Sequence, residues 1–98
     1  MATFIATTKF TQKGLEEIRE TTKRAAAFKT AAKKMGVSVS GIYWTTGYFD
    51  GLIIFEAPDE ETAAAAMMHL GGQGFVHTTT ARAFVASEMT KVVGILPK

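Results

Sequence analysis

Four apolar residues in succession, Leu-Ile-Ile-Phe at positions 52–55, constrain the fold of this chain more than any other feature. β-Branched and aromatic residues of this kind predict a strand. Because the side chains of a strand alternate between its two faces, the run places apolar groups on both faces of a sheet. The segment at residues 3–10 does the same, with Phe4 and Ile5 pointing to opposite faces. Both strands are therefore predicted to be covered on two sides.

The order of elements follows from periodicity. Apolar residues at three- and four-residue spacing predict a helix over residues 15–35, and an Ala-rich segment predicts a second helix up to Leu70. Thr11 and Asp59 are suited to begin these helices, and Gly36 is suited to end the first. The remaining segments predict strands at residues 3–10, 37–46, 52–57 and 75–87. The order β-α-β-β-α-β is the ferredoxin-like plan, an α+β fold with a four-stranded antiparallel sheet and two helices on one face.

The other face of this sheet is predicted to be bare. On the fourth strand, the small residues Ala81, Ala83 and Val85 are expected under the helices, which leaves Thr80 and Arg82 on the bare face. A monomer rarely exposes so much apolar surface, so a second copy is expected to pack on it and form a dimeric α/β-barrel. The chain thus predicts a domain over residues 1–88 and a tail over residues 89–98, the tail as an extra strand at the dimer interface.

Composition excludes several classes of function. The 98 residues carry no cysteine and two histidines, which leaves no thiol nucleophile and a poor ligand set for metal. No apolar run approaches the roughly 18 residues of a membrane span, so a cytoplasmic location is expected. The net charge is +2, and the basic residues of the first helix alternate with acidic ones, which indicates a solvated face and no nucleic-acid partner. No cofactor is expected.

A further signature lies around the second turn. The sequences Thr-Gly-Tyr-Phe-Asp at 46–50 and Glu-Ala-Pro-Asp-Glu at 56–60, together with Leu-Gly-Gly-Gln-Gly at 70–74, resemble the bacterial GYD domain family. The resemblance covers about residues 2–88. It implies a dimeric, ferredoxin-like α/β-barrel. It implies no reaction, because the family is largely uncharacterised.

Two groups of side chains could carry chemistry near the second turn. Tyr48 and Asp50 could hydrogen-bond a ligand or move a proton, or Asp50 could bond turn amides while Tyr48 packs over the barrel end. Tyr43 and Trp44 point to opposite faces of their strand, so one is expected under the helices and the other in the barrel interior. The inward residue could border an apolar ligand or fill the dimer core.

The fourth strand offers a second set of candidates. His77 could act as a general base if it reached a cavity, but the small-residue pattern places it under the helices. The same pattern directs Thr80 and Arg82 to the barrel interior, where the guanidinium could bind an anionic group. His69, at the end of the second helix, is expected to interact with helix carbonyls.

Three functions fit these observations. The first is a homodimer, or a higher oligomer, that binds a small, partly apolar or anionic ligand in the barrel. The second is a cofactor-independent enzyme of the monooxygenase or isomerase type, which fold analogy alone supports. The third is a structural or cargo-like interaction module whose apolar tail docks elsewhere.

Overall fold

The computed structural model describes all 98 residues. The chain forms four strands and four helices, and a short 3-10 turn at Ile18–Glu20 separates the first two helices. The elements are β1 (Ala2–Phe10), α1 (Gln12–Glu16), α2 (Thr21–Lys34), β2 (Ser38–Trp44), β3 (Gly51–Ala57), α3 (Glu60–Gly72), β4 (Val76–Ala83) and α4 (Ala86–Ile95). The predicted ferredoxin-like α+β fold is confirmed.

The sheet is antiparallel throughout, with the order β2-β3-β1-β4. The two strands with apolar residues on both faces, β1 and β3, are therefore central, as predicted. Phe4 faces Phe55 across this pair, and the two rings stack with centroids 5.5 Å apart. Phe55 is fully buried. Helices α2 and α3 cover this face of the sheet and complete one hydrophobic core with it.

The opposite face carries no helix of its own chain. Ile5 lies at its centre, opposite Ile54 on one side and Ala81 on the other. Leu52 and Tyr43 extend the same apolar strip toward β2. Ile5, Ile54 and Leu52 are half-buried by their neighbours, and Tyr43 is exposed. We refer to this surface as the open face.

The prediction of which β4 side chains lie under the helices is wrong. Arg82 lies opposite Phe4, and Thr80 lies opposite Ala6, so both belong to the helix-covered side of the sheet. Ala81 and His77 point instead to the open face, in register with Ile5 and Lys9. An open groove lies between α3 and this edge strand. Thr80 consequently stays exposed, and no apolar residue is required beneath a helix there.

The first helix is interrupted, whereas the sequence predicts one continuous helix. Thr11 caps α1 as expected, since its hydroxyl accepts from the Gly14 amide at 3.0 Å and donates to the Gly74 carbonyl at 2.6 Å. Gly14 lies so close to the loop between α3 and β4 that a Cβ would be 2.1 Å from the Phe75 carbonyl oxygen. The break at Glu17 lets α1 follow this loop while α2 packs on the sheet.

The C-terminal residues differ most from expectation. The sequence predicts a strand for the tail, but β4 ends at Ala83 and α4 begins at Ala86. No residue of α4 is buried, and the helix has no extensive packing against any other element. The molecule is 54 Å long, whereas its longest strand, with nine residues, spans about 30 Å. Helix α4 therefore projects from the end of the sheet.

The projecting helix and the open face leave an unusually large surface. The chain exposes 6609 Å². A compact folded chain of the same 10.6 kDa mass exposes about 5,500 Å². The excess of about 1,100 Å² is larger than the area of about 800 Å² that each partner of a standard interface buries.

One edge of the sheet is irregular. Between Val39 and Gly41 the pairing of β2 with β3 shifts, so Ser40 is an extra residue in a β-bulge. The ring of Tyr43 lies directly over Gly41, where a Cβ would be 2.8 Å from the ring. The absence of a side chain at Gly41 thus leaves room for the tyrosine ring in this position.

The central stack provides a test of the fold. We expect Phe55→Ala to lower the free energy of unfolding by about 3–5 kcal/mol, because the substitution leaves a cavity at the centre of the core. Urea denaturation followed by circular dichroism measures this change. Tyr48→Ala removes an aromatic ring that is 92% exposed, and it should change the same free energy by less than about 0.5 kcal/mol. Equal effects of the two substitutions would contradict the described core.

Candidate functional site

Asp50 joins the second turn to the central strand. Its carboxylate accepts from the Phe10 amide at 2.9 Å, and its own amide donates to the Thr8 carbonyl at 2.8 Å. The Asp50 carbonyl also accepts from the Thr45 amide at 2.9 Å. These three bonds extend the pairing of the turn with β1 and β2. The side chain thus has a structural task at this position, although it bonds a neighbouring strand and not the turn amides.

Tyr48 lies at the tip of the same turn. Its carbonyl accepts from the Lys9 ammonium at 3.1 Å, but its hydroxyl makes no hydrogen bond within the chain. The ring is 92% exposed. Tyr48 and Asp50 are therefore neighbours in sequence that do not form one polar site, because the phenol points to solvent while the carboxylate is already bonded.

Tyr43 and Trp44 occupy opposite faces, as the alternation of the strand predicts. Trp44 lies on the helix-covered side, and its indole N–H donates to the Thr21 hydroxyl at 3.0 Å. Tyr43 lies on the open face opposite Leu52. Tyr43 thus belongs to the open face, whereas Trp44 attaches β2 to the start of α2.

A small cleft opens beside Trp44, between α2 and the sheet. Its wall includes the ring of Phe75, over which the Arg24 guanidinium lies at 4.1 Å and the Lys13 ammonium at 4.5 Å. Arg24 also donates to the Glu17 carbonyl at 2.8 Å, where the first helix breaks. This cluster is not predicted from the sequence, because nothing in the local pattern connects a helix arginine with a distant loop aromatic. The cleft has a volume of about 70 Å³, far below the roughly 300 Å³ of a typical small-molecule pocket.

Arg82 lies at the other end of the sheet, level with Phe4. Its guanidinium is 5.9 Å from the Phe4 ring centroid and 4.6 Å from that of Phe84. It donates to the Thr3 carbonyl at 3.4 Å and also to the Ala83 carbonyl. The arginine is therefore surrounded by groups of its own chain.

The charge of Arg82 is balanced within the chain. The guanidinium forms an ion pair of 2.6 Å with Glu88 in the first turn of α4. The hydrogen bond from Arg82, together with one from the Val85 amide, lowers the pKa of the Glu88 carboxyl below its ordinary range. The sequence does not predict this pair, because the pattern of the tail suggests a strand. The pair fixes the start of α4 to the end of β4.

The two remaining candidates, His77 and Thr80, lie on opposite faces of β4. His77 is exposed on the open face, opposite Lys9, and the expectation that it lies under the helices is wrong. Thr80 lies in an open groove between α3 and β4, which also contains Arg82. Tyr48 and Arg82 lie at opposite ends of the sheet, so the structure does not bring the predicted polar residues to one place. No three histidine, aspartate or glutamate side chains cluster in an arrangement that could hold a metal ion.

These features define a class of protein: a small ferredoxin-like α+β protein with engaged polar groups and extensive free apolar surface. The GYD domain family model matches residues 4–93. The chain belongs to the GYD domain family, in agreement with the resemblance seen in its motifs. No helix in the structure combines the length and the apolar character that a membrane crossing requires.

A relative from Thermus thermophilus is named "Glutamine synthetase and cystathionine beta-lyase binding protein". It is 31% identical over 90 residues, which are 91% of this chain and 95% of the relative. The similarity therefore extends over nearly the whole length of both proteins. No solved structure matches the chain significantly.

The bonds of Asp50 provide a test of its structural role. We expect Asp50→Ala to lower the free energy of unfolding by about 1–2 kcal/mol, because the Phe10 amide loses a charged acceptor. Asp50→Asn keeps an acceptor oxygen and should cost less. Urea denaturation measures both. If Asp50→Ala were as stable as the natural chain, the structural task assigned to this carboxylate would be contradicted.

Proposed function

We propose that this chain is a homodimeric protein-interaction module that binds a metabolic enzyme. The observation that carries the proposal is the relative of nearly equal length whose name states that it binds glutamine synthetase and cystathionine beta-lyase. A binding role of this kind needs free surface and no reacting groups. The expected cytoplasmic location belongs to the same proposal.

The side chains of this chain suit protein binding better than catalysis. Arg82 is paired with Glu88, and the carboxylate of Asp50 is bonded to the Phe10 amide. His77 and Tyr48 are exposed and lie in different regions. A general acid–base mechanism requires such groups within hydrogen-bond reach of one substrate. A cofactor-independent enzyme is therefore the less favoured alternative.

Small-ligand binding is also less favoured. The cleft beside Trp44 holds only a few water molecules, and the larger groove beside Thr80 is open to solvent. A ligand in the barrel interior would have to bind between two open faces. Ile5, Ile54 and Leu52 fill the centre of that surface with apolar side chains, so packing against a second copy is the better use of it.

The homodimer can be tested on the open face. In a twofold dimer through this face, a charge at the centre lies near its own copy, and like charges at close range cost several kcal/mol. We therefore expect Ile54→Glu to raise the dissociation constant of the dimer by at least about 100-fold. Sedimentation equilibrium measures it, and circular dichroism verifies folding. Ala27→Glu, on the exposed side of α2, is the matched control. A folded Ile54→Glu variant that dimerises normally would contradict this arrangement.

The enzyme partner can be tested directly. We expect the purified chain to co-sediment with glutamine synthetase or cystathionine beta-lyase of its own organism, and not with an unrelated enzyme of similar size. Sedimentation velocity on the mixture detects the complex without labels. A complex that persists in high salt would agree with the apolar character of the free surfaces. If neither enzyme formed a complex at micromolar concentrations, both would be excluded as partners of this chain.

A further inference from the structure

Helix α4 has an apolar side that its own chain leaves uncovered. Val85, which directly precedes the helix, Met89 and Val92 follow one another at intervals of four and three residues, so they lie on one side of the helix, and Leu96 directly follows its end. Their exposed fractions are 51%, 42%, 39% and 65%. We call this side the α4 stripe. An amphipathic helix that projects into water with its apolar side exposed is stable only when another surface covers that side.

Each chain also has a groove that lacks a helix. Only α3 borders β4 on the covered face of the sheet, and the space beside it is an open groove of about 720 Å³. We call it the α3–β4 groove. Its floor and wall include Phe4, Ala64, Met67 and Met68, and Met68 is 75% exposed. A helix of ten residues such as α4 is about 15 Å long, and α3 beside the groove is about 20 Å long. The dimensions of the two elements therefore match.

The chain does not place its own α4 in this groove. The ion pair of Arg82 with Glu88, and the bond from the Val85 amide to Glu88 at 3.2 Å, hold the first helical turn at the end of β4. The Val85 backbone is extended, so the helix continues beyond the sheet and does not turn back over it. The α4 stripe and the α3–β4 groove of one molecule thus both remain free.

We propose that α4 of each protomer lies in the α3–β4 groove of a second copy. The exchange covers the α4 stripe and the α3–β4 groove at once, because a twofold axis lets each copy insert its helix into its partner and receive the partner's helix in return. The projecting α4 contributes part of the excess of about 1,100 Å² over a compact monomer. The charges agree as well. Lys98 in the tail forms no ion pair in its own chain, Lys91 lies one turn from Glu88, which already pairs with Arg82, and Glu60 lines the groove. The inference rests on the proposed homodimer, adds to its open-face contact a second contact on the helix-covered side of the sheet, and does not depend on enzyme binding.

Cross-linking tests the exchange, because the chain contains no natural cysteine. Val92→Cys and Ala64→Cys chains are mixed and oxidised. We expect a reducible covalent dimer that contains one chain of each kind. A mixture of Val92→Cys with Lys29→Cys, on the exposed side of α2, should give at most a small fraction of that product. Absence of the first product, while sedimentation still shows a dimer, would overturn the proposal. A disulfide within one chain carrying both cysteines would overturn it too.

A charge on the stripe provides the second measurement. Val92→Asp in the full chain should raise the dissociation constant of the dimer by at least about tenfold, because an aspartate cannot be buried in the groove without a partner. Thr90→Asp, on the other side of the same helix, is the matched control and should leave it unchanged. If Val92→Asp left the dimer intact and abolished co-sedimentation with the enzyme, α4 would dock the enzyme, and the exchange would be wrong. If Val92→Asp abolished the dimer and neither the natural chain nor the variant bound the enzyme, the exchange would be supported and only the proposed enzyme partner would be refuted.

Discussion

The contact between Phe4 and Phe55 connects the parts of this molecule. The two rings stack across the central strands, and the helices close over them from one side. Arg82 extends the same contact outward, since its guanidinium lies over the Phe4 ring and pairs with Glu88. The position of α4 therefore depends, through an arginine and a glutamate, on the centre of the core. Such a chain of contacts adds to the stability of a small domain, because the core of a small domain buries little surface by itself.

The topology and the central strands could be predicted from the sequence, whereas the facing of β4 could not. A strand covered on both sides has a distinct pattern, and residues 52–55 are an unambiguous case. An edge strand beside a partly open groove has no such requirement. Thr80 and Arg82 both lie on the helix side, where the Arg82 guanidinium is 5.9 Å from the Phe4 ring centroid and pairs with Glu88, so polar residues stand where the pattern predicts apolar ones.

The candidate site is less predictable than the fold, because its contacts join residues far apart in the chain. The alternation of Tyr43 and Trp44 is a local property, and its prediction is confirmed. The bond of Asp50 to the Phe10 amide and the packing of Arg24 on Phe75 depend on how strands and loops meet. The Arg82–Glu88 pair is hidden for another reason, since residues 86–95 have enough β-branched side chains to suggest a strand although they form a helix.

The bulge at Ser40 affects how large any assembly can become. Sheets that join edge to edge grow without limit only if both edges of each copy offer an uninterrupted row of amides and carbonyls. The extra residue in β2 breaks that row on one edge. A row of copies joined edge to edge would therefore not extend past a β2 edge. Growth into fibres is thus disfavoured by the backbone itself.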